Sequence, residues 1–252
     1  MSENPTDNGD RDPNEGKEVH AGDHRVHVLP DPASVFPDDQ TWLARVLHPL
    51  LTIELNAIDS AWAGTAPILS PVEPLEGLLG DHTLSAHDAF AGMSWITFRR
   101  DEAGRWRFLG QRSYFEIEQP GAETNIELLK HYAAAEVQIA GTRLRWERDG
   151  ALTWGDRDDP ARVRKGSRGD IALIDTLGGA AGGGNWTSYG PPASLQLDKT
   201  DAVTPVVRLA DGRPFTFIAW TPGYPWREDG ADAIMVFFEP ETKTLAVTFD
   251  WS

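Results

Sequence analysis

The chain has 252 residues, of which 40% are hydrophobic and 25% charged, and its net charge at pH 7 is −16. This length and composition suit one large soluble domain or two small ones. The lack of cysteine excludes disulfides, thiolate nucleophiles and cysteine-ligated metal sites, and the acidic balance disfavours nucleic acid and anionic membranes as partners.

The first 28 residues predict a disordered acidic tail, because they are rich in Asp, Asn, Glu, Gly and Pro and show no apolar period. A flexible tail does not hold metal ligands in place, so no metal site is predicted from the group His20, Asp23, His24 and His27. The start of the chain has neither the basic residues nor the apolar stretch of a secretory signal. We therefore expect a cytoplasmic protein.

An N-terminal α+β region is predicted over residues 29–158. The spacing of apolar residues from Gln40 onward indicates a helix that Pro49 ends or kinks. Two alternating runs, 93–101 and 105–119, are joined by the letters EAG and predict a β-hairpin. Alternation places Trp95 and Thr97 on one face of the first strand and Ile96 and Phe98 on the other.

The longest helix is predicted over residues 121–150. Thr124 and Glu127 have the spacing of a capping box, and Gly150 marks the C-terminal end. We expect this helix to pack through one apolar stripe, which contains Ile126, Leu129, Tyr132, Ala133, Val137, Ala140 and Leu144.

A C-terminal β-rich region is predicted over 159–252, either as a separate region or continuous with the preceding one. A strand is predicted at 170–175, and two pairs of strands turn at Asp211-Gly212 and at 239–243. The second half is therefore predicted to be mainly antiparallel β structure.

A glycine-rich loop lies at 175–192, with six glycines in eighteen residues. Gly184 and Asn185 stand where a Walker A loop has its lysine and hydroxyl residue, and Thr187 stands where a dinucleotide loop has its third glycine. Neither phosphate site is supported. The glycines are interpreted as geometric: they allow positive φ and close backbone approach, and they carry Trp186 to a packing position.

The candidate partner-binding residues come from the segment WTPGYPW and are Trp220, Tyr224 and Trp226. Turns are usually exposed, and aromatic side chains often anchor a partner. The same loop suits sugar stacking, and a loop folded back on the sheet is the structural alternative.

No motif places a nucleophile beside a base. The pair Glu116 and Glu118, predicted on one strand face, is explained equally well by an exposed strand edge, so no catalytic residue is assigned.

Three segments of the C-terminal region resemble the YwqG-like family of bacterial proteins: LGGAAGGGNW, GRPFTFIAW and DGADAIMVFFEPETKTLAVTFDWS. The likeness covers residues 170–252. It departs from the family in the AAGGG insert and in Thr187 and Ser188 after the tryptophan. The resemblance implies an α+β fold with a curved, mostly antiparallel sheet, and we expect the long helix to pack on one face of it.

The leading hypothesis is a cytoplasmic bacterial protein that binds a protein partner. The most specific version of this hypothesis is an acidic immunity protein that neutralises a basic toxin. The alternatives are a carbohydrate-binding module and a hydrolase that uses Asp, Glu and His residues. No cofactor is predicted, and the oligomeric state is left open.

Overall fold

The computed structural model describes residues 16–167, 169 and 171–251, and it confirms the predicted α+β class. Within this part, the α-helices are α1 (Pro32–Val35), α2 (Leu43–Val46) and α3 (Ile126–Asp149). The strands are β1 (Lys17–Val19), β2 (Val26–Val28), β3 (Leu47–Glu54), β4 (Thr65–Pro71), β5 (Ala91–Gly92), β6 (Trp95–Arg100), β7 (Trp106–Phe108), β8 (Ile174–Leu177), β9 (Leu195–Asp198), β10 (Val206–Leu209), β11 (Thr216–Thr221), β12 (Ala233–Glu239) and β13 (Thr244–Asp250).

The main sheet has the strand order β1-β8-β11-β12-β13-β6-β5, and β7 also pairs with β6. A second sheet has the order β2-β3-β4, and a third consists of β10 and β9. The pairings among these strands are antiparallel, as predicted for the second half. Strands from both predicted regions meet in the main sheet, where β13 pairs with β6.

The main sheet is buried on both faces at its centre. Along β12, Ile234 and Val236 belong to the larger apolar cluster, whereas Met235 and Phe237 belong to a second cluster on the other face. The β2-β3-β4 sheet contributes to the larger cluster, and Trp186 belongs to the smaller one. The fold therefore has three layers at this point.

The predicted tail is partly wrong. Residues 16–28 supply β1, which pairs with β8, and β2, which pairs with β3. Burial of Val19 and Val26 against the core offsets the entropy of ordering this polar segment. Residues 1–15, which belong to the same prediction, lie outside the described residues.

The helix predicted from Gln40 onward is also wrong beyond its first turn. Helix α2 ends at Val46, and the run that follows is β3, buried along nearly its whole length. A strand covered on both faces carries a continuous apolar run, which periodicity does not distinguish from a helix. Pro49 is accommodated beside a register shift between β3 and β4.

The predicted hairpin is confirmed over β6 and β7, which pair around the turn at 101–105. Trp95 and Ile96 enter different apolar clusters, as the alternation predicts. The second run leaves the sheet after Phe108, and Glu116 and Glu118 lie in a 3-10 turn rather than on one strand face.

Helix α3 is confirmed, but its orientation is not the predicted one. Asn125, rather than Thr124, caps the helix, since its side chain accepts a hydrogen bond from the Leu128 N–H at 3.1 Å, while Gly150 ends it in the left-handed conformation as predicted. Most of the apolar stripe faces outward: the exposed fractions are 64% for Ile126 and 59% for Val137. The buried face combines the apolar residues Leu128 and Ala135 with hydrogen-bonded polar side chains such as Thr142.

A buried carboxylate ties the end of β4 to α3 and to the turn at 116–118. Glu73 is 3% exposed. Its oxygens accept hydrogen bonds from the Glu116 N–H at 2.8 Å, the Ile117 N–H at 2.9 Å and the Tyr132 hydroxyl at 2.6 Å. Burial raises the pKa of Glu73, because an ionised carboxylate is poorly solvated there, and burial also raises the pKa of Tyr132.

Replacing Glu73 by alanine is expected to lower the free energy of unfolding by about 3 kcal/mol, because two backbone N–H groups and one hydroxyl lose their buried acceptor. Tyr132→Phe removes one donor of three and should cost about 1 kcal/mol. Denaturant titration followed by tryptophan fluorescence measures both changes.

The matched control is Glu147→Ala, which removes an exposed carboxylate from α3 and should leave stability within about 0.5 kcal/mol. Equal stabilities for the Glu73→Ala and Glu147→Ala variants would show that the buried carboxylate does not secure this junction.

Candidate functional site

An apolar cleft, here called the aromatic cleft, opens on the second face of the main sheet beside the glycine-rich loop. It consists of two adjoining spaces of about 270 Å³ and about 320 Å³, and Ala181 and Phe217 line both. The first space is also lined by Trp186, Trp220, Met235 and Asp250, and the second by Phe215, Val206 and Phe237. Concave, largely apolar spaces with few polar groups are the usual form of a ligand site.

A β-bulge brings two aromatic residues of β11 into the cleft. Phe217 pairs with Phe237 and Ala219 pairs with Val236, so that Ile218 is the additional residue between them. In a regular strand, Phe217 and Trp220 would lie on opposite faces, because they are three residues apart. The bulge places both on the cleft side, and no residue pattern in the sequence indicates it.

The glycine-rich loop forms one wall of the cleft. Gly178 and Gly179 have φ angles of 71° and 77°, which favour glycine. The Trp186 indole N–H donates a hydrogen bond to the Gly182 carbonyl at 3.0 Å. The Trp186 ring is 1% exposed and lies 5.7 Å from the Trp95 ring, measured between centroids. These contacts agree with the geometric interpretation of the glycines.

Asp250, the last residue of β13, is the charged residue that lines the cleft. Its Oδ2 accepts a hydrogen bond from the Asn185 N–H at 3.1 Å, whereas its buried Oδ1 has no hydrogen-bond partner among the described residues. Burial raises the pKa of Asp250, and the nearby carboxylate of Asp232 raises it further. An incompletely solvated carboxylate at an apolar wall favours a cation in the adjoining space.

The three predicted partner-binding residues are not brought together. Trp220 lines the aromatic cleft. Trp226 is 1% exposed and belongs to the larger core cluster, so this prediction is wrong for Trp226 as a surface anchor. Tyr224 is 39% exposed and stacks on Trp154 with 5.6 Å between ring centroids. The loop folds back on α3, where the Trp226 carbonyl accepts from the Thr142 hydroxyl at 2.6 Å.

The acidic and histidine side chains give no comparable site in the part of the chain that the structure describes. His82 and Glu116 are 3.1 Å apart, and this hydrogen bond raises the pKa of His82. The space beside them and Glu73 is only about 10 Å³, which is too small for a substrate. Within the same described ranges, no three His, Cys, Asp or Glu residues are grouped to hold a metal ion.

No family model matches the chain, and no curated protein or solved structure matches it significantly. The resemblance to the YwqG-like family stays a prediction. Of the helices in the described residues, none is long and apolar enough to span a membrane. The cleft and the charge of the chain are therefore the observations from which a function is inferred.

Gly183→Ala is expected to lower the free energy of unfolding by about 1–3 kcal/mol, because a Cβ atom there would lie 2.6 Å from the Ala202 carbonyl oxygen. Gly182→Ala is the matched control, since a Cβ atom at Gly182 meets nothing within 4 Å. This control should leave stability unchanged or raise it by about 0.5 kcal/mol. Thermal unfolding measures both, and similar values for the two variants would contradict the close approach at Gly183.

Trp226→Ala is expected to cost about 3–5 kcal/mol of stability, because it removes a large side chain from the core. Tyr224→Ala should cost about 1 kcal/mol or less, since that ring is partly exposed. Denaturant titration of the two variants tests this difference. A Trp226→Ala variant that unfolds like the wild type would show that the Trp226 side chain is not part of the core.

Proposed function

We propose that the protein binds a basic partner protein in the cytoplasm and that the aromatic cleft receives one cationic side chain of that partner. The observation that carries the proposal is the placement of Asp250, whose incompletely solvated carboxylate lies at the wall of an aromatic space. Its chemical complement is a lysine or arginine side chain.

The cleft suits both parts of such a side chain. The methylene groups of lysine and arginine pack on apolar surfaces while the charged end remains near an anion. Phe217 and Met235 offer the apolar surface, and Trp220, which is partly exposed, offers an indole face. A cation over an indole face contributes about 0.5–2 kcal/mol, and more where water is excluded.

The charge of the whole chain supports a basic partner. A net charge of −16 produces a long-range negative potential that attracts basic proteins and increases their association rate. A protein of this kind would neutralise a basic toxin by covering its cationic surface. The most specific form of the proposal is therefore an immunity protein that neutralises a basic toxin.

A carbohydrate ligand is the second candidate, and the combination of a partly exposed indole with a carboxylate in one cleft favours it. Sugar rings stack on aromatic faces, and their hydroxyl groups donate hydrogen bonds to carboxylates. A neutral sugar experiences little of the long-range field, so its association rate should hardly depend on salt.

The proposal predicts that salt and cleft mutations weaken binding through different rate constants. The test uses the full chain as bait in extracts of the source organism, followed by kinetic measurement of each purified partner. Raising the salt concentration should slow association of the partner, whereas Trp220→Ala and Asp250→Asn should mainly speed dissociation, each by about tenfold.

Tyr224→Ala is the matched control, because it removes a partly exposed aromatic ring outside the cleft and should leave dissociation unchanged. Partners that are acidic or neutral, with binding insensitive to salt, would overturn the proposal. A partner lost with Tyr224→Ala but retained with Trp220→Ala would place the contact on the loop rather than in the cleft.

A further inference from the structure

The first space of the aromatic cleft, next to Asp250, offers a negative charge but few side-chain acceptors for hydrogen bonds. Apart from this carboxylate, its lining side chains belong to alanine, glycine, tryptophan, phenylalanine and methionine. One Asp250 oxygen already accepts the Asn185 N–H, and the other is buried. A cation in this space would therefore lie near a charge without finding side-chain acceptors for several N–H groups.

Two backbone carbonyls of the glycine-rich wall are engaged as well. The Gly182 carbonyl accepts the Trp186 indole N–H at 3.0 Å. The Gly184 carbonyl accepts the Thr187 N–H at 3.1 Å and the Thr187 hydroxyl at 2.9 Å. The wall is thus arranged for its own internal hydrogen bonds rather than for those of a ligand.

This distribution of acceptors distinguishes between kinds of cation. A lysine ammonium group has three N–H donors and an arginine guanidinium group has five. Removing such donors from water without supplying acceptors costs free energy. A trimethylammonium group carries the same charge but has no N–H, and its methyl groups contact aromatic faces directly. The first space therefore suits a quaternary ammonium group better than an ordinary lysine or arginine.

Trp220 offers the aromatic face that such a group requires. The other rings of the cleft are packed on one another: Phe217 and Trp186 lie 5.5 Å and 5.6 Å from Phe237, measured between centroids. Among the described residues, no aromatic ring stacks on Trp220, and this side chain is partly exposed. Its ring is therefore available to a ligand that enters between it and Phe217.

The second space suits an aliphatic stem. It adjoins the first at Ala181 and Phe217, and Pro205, Val206 and Phe215 make most of its remaining wall apolar. The four methylene groups of a lysine side chain pack on surfaces of this kind. Free choline is too short to fill both spaces, and a free betaine would bring a carboxylate close to Asp250.

We propose that the aromatic cleft binds a trimethylated lysine side chain of the basic partner protein. This inference rests on the proposed cation site and specifies the chemical form of its cation. Methylation keeps the positive charge of lysine, so the long-range attraction of the acidic chain acts on the modified side chain as it does on lysine itself.

Three short peptides test the inference on the full chain. Each contains one variable residue between glycines: lysine, trimethyllysine, or a neutral isostere with a tert-butyl group in place of trimethylammonium. The dissociation constants are measured by NMR titration, and free choline is titrated in parallel. The trimethyllysine peptide should bind about tenfold more tightly than either the lysine peptide or the neutral isostere, because only it combines charge with the absence of N–H donors.

Cleft variants test where the peptide binds. Trp220→Leu keeps an apolar side chain but removes the ring, and it should weaken binding of the trimethyllysine peptide by about tenfold. Asp250→Asn keeps an acceptor for the Asn185 N–H and removes the charge. It should weaken the trimethyllysine peptide by about fivefold and leave the neutral isostere unchanged. Tyr224→Leu is the matched control, since it removes a partly exposed ring outside the cleft and should change nothing.

The outcomes separate this inference from the proposed function. Equal or tighter binding of the lysine peptide would overturn the trimethylated form and leave the cation site intact. Equal binding of the neutral isostere would overturn both, because the cleft would then not select charge. Choline that binds as tightly as the trimethyllysine peptide would overturn the lysine side chain as the occupant. Failure of all four ligands to bind would overturn the inference, whereas capture of a basic partner would still support the proposed function.

Discussion

Burial of the main sheet on both faces is the constraint on which the other layers depend. Strands β12 and β13 present apolar side chains alternately to two clusters, so each face requires its own cover. The β2-β3-β4 sheet helps to cover the larger cluster. On the other face, the cover consists of Trp186, the glycine-rich loop and the short β9–β10 pair, and it is incomplete. The aromatic cleft is the space that this thinner layer leaves open.

The attachment of α3 combines apolar packing against the larger cluster with buried hydrogen bonds. Tyr132 bonds to the buried Glu73, Thr142 bonds to the Trp226 carbonyl, and Arg145 donates to the Thr153 carbonyl at 3.1 Å. These buried polar groups add to the apolar packing of the helix, and each of them would be costly to leave unpaired. Leu128 is fully buried and Trp146 packs against the larger apolar cluster, whereas Ile126, Val137 and Leu144 remain exposed.

The aromatic cleft is an apolar space with one charged residue at its wall. Its aromatic side chains and the carboxylate of Asp250 together suit a cationic side chain. The net charge of −16 produces a long-range negative potential around the molecule, which acts on a cation in the same direction as Asp250 does at short range.

The sequence by itself determined the features that depend on neighbouring residues: the β12–β13 and β6–β7 hairpins, the C-terminal end of α3 at Gly150 and the packing role of Trp186. Each follows from local alternation or from glycine conformation. Only the tertiary structure decided which face of α3 is buried, that 47–54 is a strand, that Trp226 is in the core and that a bulge at Ile218 brings Phe217 and Trp220 into one cleft. These outcomes depend on residues that are distant in the sequence, which cover both faces of a strand or form hydrogen bonds with a helix. Such contacts produce no periodic pattern in the sequence of the segment itself.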